Sequence, residues 1–214
     1  MRRRYISAHD LAIEICRREH LSYKRVKDLA ERLLLRYSQG LEDANNRETL
    51  SPEEIKKEKQ NIRRRYIEII LGIREFSEKE YADFAWDVVS SSWFKEKAAM
   101  ILDKIEERLD RRITQQPYDP DKDRLNQGIQ IKHILRNAFL NGKNRIMDDE
   151  AIYTDMQISR ATYGRRKPEG IVLFGILMWR YAKYRELEDL ENGEVEEPEY
   201  DIRALLEQGN YSCV

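Results

Sequence analysis

Cysteine is nearly absent from this 214-residue chain: Cys16 and Cys213 are the only two. A disulfide framework is thereby excluded, and a reducing compartment such as the cytoplasm is expected. Glycine and proline are scarce, 9 and 5 residues, so few positions break a helix. No stretch has the β-branched alternation of a sheet strand. The longest apolar run, Gly170 to Trp179 (GIVLFGILMW), is about half of what a membrane span needs. The opening MRRRYISAHD is basic but is followed by no apolar segment, so it does not predict a secretory signal.

Chemical motifs are missing as well. His9, His20 and His133 have no partners at metal-ligand spacing, and there is no HExxH, CxxC, GxSxG or glycine-rich phosphate loop. Asp119, Asp121 and Asp123 alternate as in a calcium loop, but the glycine and the bidentate glutamate of such a loop do not follow. The expectation is a protein that is not an enzyme and holds no metal and no cofactor.

What is present is charge on a helical background. Charged residues make up 37% of the chain and hydrophobic ones 41%, rich in Leu, Ile, Arg, Lys and Glu, which predicts an all-α protein. Net charge is only −1, yet Glu186 to Asp201 holds nine acids and no base. Since the remaining residues to the C-terminus cancel, residues 1–185 carry +8. A basic body with an acidic tail is one way that nucleic-acid binders are built.

Apolar spacing and start signals place the elements. One or two helices are expected over residues 8–38, with Ser7 as cap and a break near Leu21-Ser22. Ser51-Pro52-Glu53-Glu54 is a strong helix start, and Ser77 with Glu80 is a second capping box. A further helix is expected from Trp93 to Ile113. Residues 114–123 (TQQPYDPDKD) predict a linker between a helical region at 1–113, suited to oligomerisation or partner binding, and a C-terminal module at 124–191. Within the module, helices are expected at 124–140, 148–156, 159–167 and 169–191, with Pro168 starting the last one or marking a kink. Residues 192–214 predict an exposed acidic tail with a short terminal helix.

The segment DDEAIYTDMQISRATYGRRKPEG, Asp148 to Gly170, carries the functional expectation. Ile152, Met156, Ile158 and Tyr163 can close a small core between two helices, and Ser159 can cap the second. That second helix would present Arg160, Thr162, Gly164, Arg165, Arg166 and Lys167. Arginine can pair with the major-groove edge of guanine, and both Arg and Lys neutralise phosphate. Ser159, Arg160, Thr162, Arg165, Arg166 and Lys167 are thus the candidate DNA-binding residues. Arg63, Arg64 and Arg65 form another basic run, better suited to the solvated face of a helix.

Asp149, Ile152, Met156, Ile158, Ser159, Thr162, Tyr163, Arg165, Lys167 and Ile171 resemble a run in phage late-gene transcriptional regulators of the ArpU/RinA type. That module is itself similar to region 4 of bacterial sigma factors. The resemblance covers roughly residues 148–187. Gln157 stands where that family usually has glycine, Tyr153 where it has a small residue, and Pro168 within its second helix. The resemblance implies a helix-turn-helix regulator that binds double-stranded DNA as a homodimer and contacts RNA polymerase. A helical adaptor working through protein-protein contacts is the alternative.

Overall fold

A computed structural model describes residues 7–39, 51–73, 75–110, 127–141 and 146–195, together with Ala204. Every regular element among them is helical. The helices are α1 (Ala8–Arg18), α2 (Tyr23–Ser38), α3 (Pro52–Leu71), α4 (Glu78–Ser90), α5 (Ser92–Asp110), α6 (Gln127–Leu135), α7 (Asp149–Asp155) and α8 (Arg160–Glu191). A π-helical turn, Arg136–Leu140, continues α6. The segment expected to be a linker, the alternating aspartates at 119–123 and most of the acidic tail lie outside the described residues.

Local chemistry starts the helices where the sequence predicts. Ser7, Ser22, Ser51, Ser77, Asp148 and Ser159 each accept a hydrogen bond from a backbone N–H in the first turn of their helix. Ser51 with Glu54, and Ser77 with Glu80, complete both arms of a capping box. α3 ends at Gly72, whose φ of 70° is costly for any residue with a Cβ.

Packing joins elements from both sides of the expected linker. α8 is one helix of 32 residues, not two. Pro168 sits inside it and cannot give the hydrogen bond that the Gly164 carbonyl would accept. The helix continues because its next two turns are apolar and enclosed. Ile171, Val172, Leu173, Phe174, Ile176, Leu177, Met178 and Trp179 are all buried. Burial of each such side chain contributes about 1.5–3 kcal/mol, and together they outweigh the roughly 3 kcal/mol that an interior proline costs.

A helix apolar on all sides must be surrounded. α1, α2, α3, α5 and α6 all pack against α8, and the apolar side chains of both expected parts form one continuous cluster. Close approach is part of this arrangement. A Cβ on Gly175 would lie 2.9 Å from Ala30 Cβ and 3.0 Å from the Val26 carbonyl oxygen. No helix among the described residues is long and apolar enough to cross a membrane.

Candidate nucleic-acid interface

α7 and the start of α8 are joined by a tight turn, Met156 to Ser159. Gln157 takes a φ of 53°, in the left-handed region that a glycine would enter without strain. Ile152 and Tyr163 are buried between the two helices, and Met156 and Ile158 pack partly buried against them. Tyr153 does not splay the pair. Its ring meets that of Tyr163 edge-on, with centroids 6.0 Å apart.

Polar contacts fix the angle between the helices. Asp149 Oδ1 accepts from the Tyr163 hydroxyl at 2.6 Å and from Lys167 Nζ at 2.8 Å. Burial works against the charge on Asp149, but these two partners outweigh it and hold the carboxyl below its usual range. Burial, reinforced by Asp149, pushes the Tyr163 phenol up. On the other side of α7, Asp155 Oδ2 lies 3.1 Å from His133 Nε2 of α6.

The six candidate DNA-binding residues fall into three groups. Ser159, Arg160 and Arg165 are exposed. Lys167 is half-buried and engaged with Asp149. Thr162 and Arg166 are buried, contrary to expectation. Thr162 is held by the cap: its N–H donates to Ser159 Oγ at 3.1 Å, and its Oγ1 accepts from the same hydroxyl at 3.0 Å.

Arg166 faces inward. Its Nη1 donates to Gln127 Oε1 at 2.7 Å and to Glu169 Oε2 at 2.9 Å, and its Nε donates to Gln130 Oε1 at 3.3 Å. Gln127 Oε1 also accepts from the Ala8 N–H at 3.1 Å. Arg166 therefore ties α8 to α6 and to the start of α1.

The exposed side of early α8 is Arg160, Ala161, Gly164 and Arg165, the spacing of one helical face. A Cβ on Gly164 would meet nothing within 4 Å. Two arginines thus flank a low surface of small residues. Sequence reasoning placed the arginines and Gly164 on this helix but did not join Gly164 with Ala161 into a gap, although the two stand three apart within the motif itself.

The other basic run is spent internally. Arg63 pairs with Asp189, Arg64 Nη2 lies 2.8 Å from Glu186 Oε1, and Arg65 Nη1 lies 3.0 Å from Asp87 Oδ2. Glu186 and Asp189, counted by sequence in the acidic tail, are buried in α8. The described part of that acidic run is a helix end bound to α3, not a free tail.

No group of three His, Cys, Asp or Glu side chains among the described residues could hold a metal ion. Burial first, then Glu19, pushes the Cys16 thiol up to about 11, so it stays protonated and unreactive. No family model, no curated protein and no solved structure matches this chain.

Proposed function

We propose that this chain is a sequence-specific double-stranded DNA-binding transcription regulator, with α7, its turn and the start of α8 as a helix-turn-helix. The observation that carries the reading is the exposed face of Arg160, Ala161, Gly164 and Arg165, set on a rigid pair of helices. Small residues between arginines allow a helix to sit deep in a groove while guanidinium groups reach base edges. The left-handed turn at Gln157 and the Ile152–Tyr163 packing support it. The resemblance to phage late-gene regulators adds activation near a promoter, contact with RNA polymerase and action as a homodimer. A single half-site offers few contacts, which favours a dimer.

In this reading Arg160 and Arg165 carry base preference, and Ser159 adds a phosphate contact at the helix start. Thr162 and Arg166 hold the reading helix in place. Lys167 orients α7 through Asp149.

A second reading has its own support. Glu150 and Asp155 are exposed on α7 and would repel a phosphate backbone crossing that helix. They favour a helical adaptor that meets a basic protein surface without nucleic acid. Selection of bound sequences from a random duplex pool separates the two. An enriched motif is the expected result; recovery of no sequence above background at low salt would leave the adaptor.

A further inference from the structure

A cavity of about 620 Å³ opens where the starts of α1, α2 and α6 meet α8. Gln127 and Arg166 line it and are only 3% and 4% exposed. Gln127 Oε1 accepts from both the Ala8 N–H and Arg166 Nη1, which fixes the amide so that Nε2 is turned away from these two donors. Gln127 Nε2 and Arg166 Nη2 have no hydrogen-bond partner among the described residues. Neither is among the side-chain atoms sealed from solvent without a partner, so each keeps some surface, and the cavity is the open space that these two side chains line.

An acceptor stands beside these donors. Glu169, also on the wall and buried, gives Oε2 to Arg166 at 2.9 Å and leaves Oε1 without a partner. The charges of Glu169 and Arg166 cancel in this pair. Arg165, on the same wall, is exposed and has no ion pair or hydrogen bond among the described residues, so one positive charge is left unspent.

Rings make up much of the remaining wall. His9 and Tyr23 meet edge-on with centroids 5.9 Å apart, and Pro168 adds its own ring. Burial first, then Cys16 and Glu169, raises the Tyr23 phenol, so its O–H stays a donor. Apolar surface with a few convergent polar groups, in a volume of about 300–1,000 Å³, is the usual build of a small-molecule site.

We propose that this cavity binds a small nucleotide whose base carries a lactam edge, N–H beside C=O, as guanine does. Glu169 Oε1 accepts from the base N–H. Gln127 Nε2 and Arg166 Nη2 donate to the carbonyl oxygen, whose two lone pairs take both. The base lies against the rings of Tyr23, His9 and Pro168, and Arg165 meets the phosphate. A bare inorganic anion would leave the Glu169 oxygen and the rings unused. A hydrocarbon would leave both buried donors unmet. Adenine offers a ring nitrogen with one lone pair where guanine has its carbonyl, and so satisfies one donor fewer. Arg165 belongs also to the proposed reading face, so a duplex and the nucleotide would compete for it; the ligand site itself does not rest on the DNA-binding reading.

Isothermal titration of the full chain with guanosine 5′-monophosphate at constant ionic strength tests it, with adenosine 5′-monophosphate in a second arm. Saturable binding of the guanine nucleotide is expected, with binding of the adenine nucleotide about tenfold weaker, the worth of one hydrogen bond to a charged or buried donor. Arg165→Ala alters an exposed position and should also weaken binding about tenfold. Lys57→Ala removes an exposed charge from α3, outside the cavity, and should bind as the parent does. Absence of saturable guanine-nucleotide binding, equal binding of the two nucleotides, or a loss in Arg165→Ala no greater than in Lys57→Ala overturns the proposal. No duplex enters the titration, so the DNA-binding reading stands or falls separately, on the duplex selection.

Discussion

Arg165 and Arg166 are neighbours in sequence with opposite surroundings, because one residue turns a helix by about 100°. Arg165 is exposed, while Arg166 is buried against Gln127, Gln130 and Glu169. Their alanine variants should therefore separate. Arg166→Ala leaves the Glu169 carboxylate buried without its partner and should cost about 3 kcal/mol or more of stability, read from a denaturant midpoint. Arg165→Ala should stay within about 0.5 kcal/mol of the parent. Arg160→Ala should likewise fold, yet lose about 1–3 kcal/mol at a preferred duplex and relax one base position. Unchanged affinity of Arg160→Ala for every duplex would sink the recognition face. Asp149 adds a pH dependence. Its carboxyl is held below the usual range, so its contribution is fully present above the ordinary carboxylate pKa of about 4 and is lost as pH falls through the lower, folded value. Asp149→Asn should flatten that part of the acid-side loss in stability, and an unaltered acid melting profile would show that the Lys167 and Tyr163 contacts contribute nothing.

Helix starts were legible from single residues, because a cap is a contact made within three positions. Ser51 and Ser77 show it most fully, each with both arms of its box. Long-range partners were not legible. Nothing near Arg63 and Arg64 in the chain indicates that Asp189 and Glu186, more than 120 positions away, take their charge. The exposed pair at Arg160 and Arg165 was legible as basic, but which arginines face outward depends on where α6 lies. Of the two expectations for Pro168, a new helix start or a kink, the new start failed for a reason of magnitude, since a local penalty was weighed without the burial of Ile171 to Trp179 beyond it. Gly164, four residues before Pro168, is the exposed weak point of the same helix. Gly164→Ala should raise stability by about 0.5–1 kcal/mol, because an open helical position gains from alanine. Gly164→Glu should leave the fold intact but weaken duplex binding, by filling the low face with a charge that repels phosphate. A Gly164→Glu protein that binds its preferred duplex as well as the parent would place the contact elsewhere.

At the scale of the molecule, the central question is whether the chain can come apart in two steps. A boundary near 114–123 predicts two folding units. Apolar packing argues for one, since α1, α2, α3, α5 and α6 all rest on α8. Phe174 is a direct probe: it is fully buried in α8, and its ring lies 6.0 Å from that of Phe94 in α5, across the expected boundary. The Tyr66 hydroxyl of α3 likewise donates to the Gly175 carbonyl at 3.1 Å. Removing α8 would strip the N-terminal helices of the surface that buries their apolar faces, and isolated helices of this length are marginal in water. Phe174→Ala should cost about 3–5 kcal/mol. For a chain of this size that lowers the melting temperature by roughly 10 °C. Helix content by circular dichroism and tryptophan fluorescence should fall together in one transition, for the parent and for the variant. Hydrogen exchange should then show protection lost in α2 and α3 as much as in α8, because the cavity weakens a shared core. If α1 to α5 instead kept their protection while α8 exchanged freely, the chain would hold two separable units, and the contacts across Phe94 and Gly175 would contribute little to either.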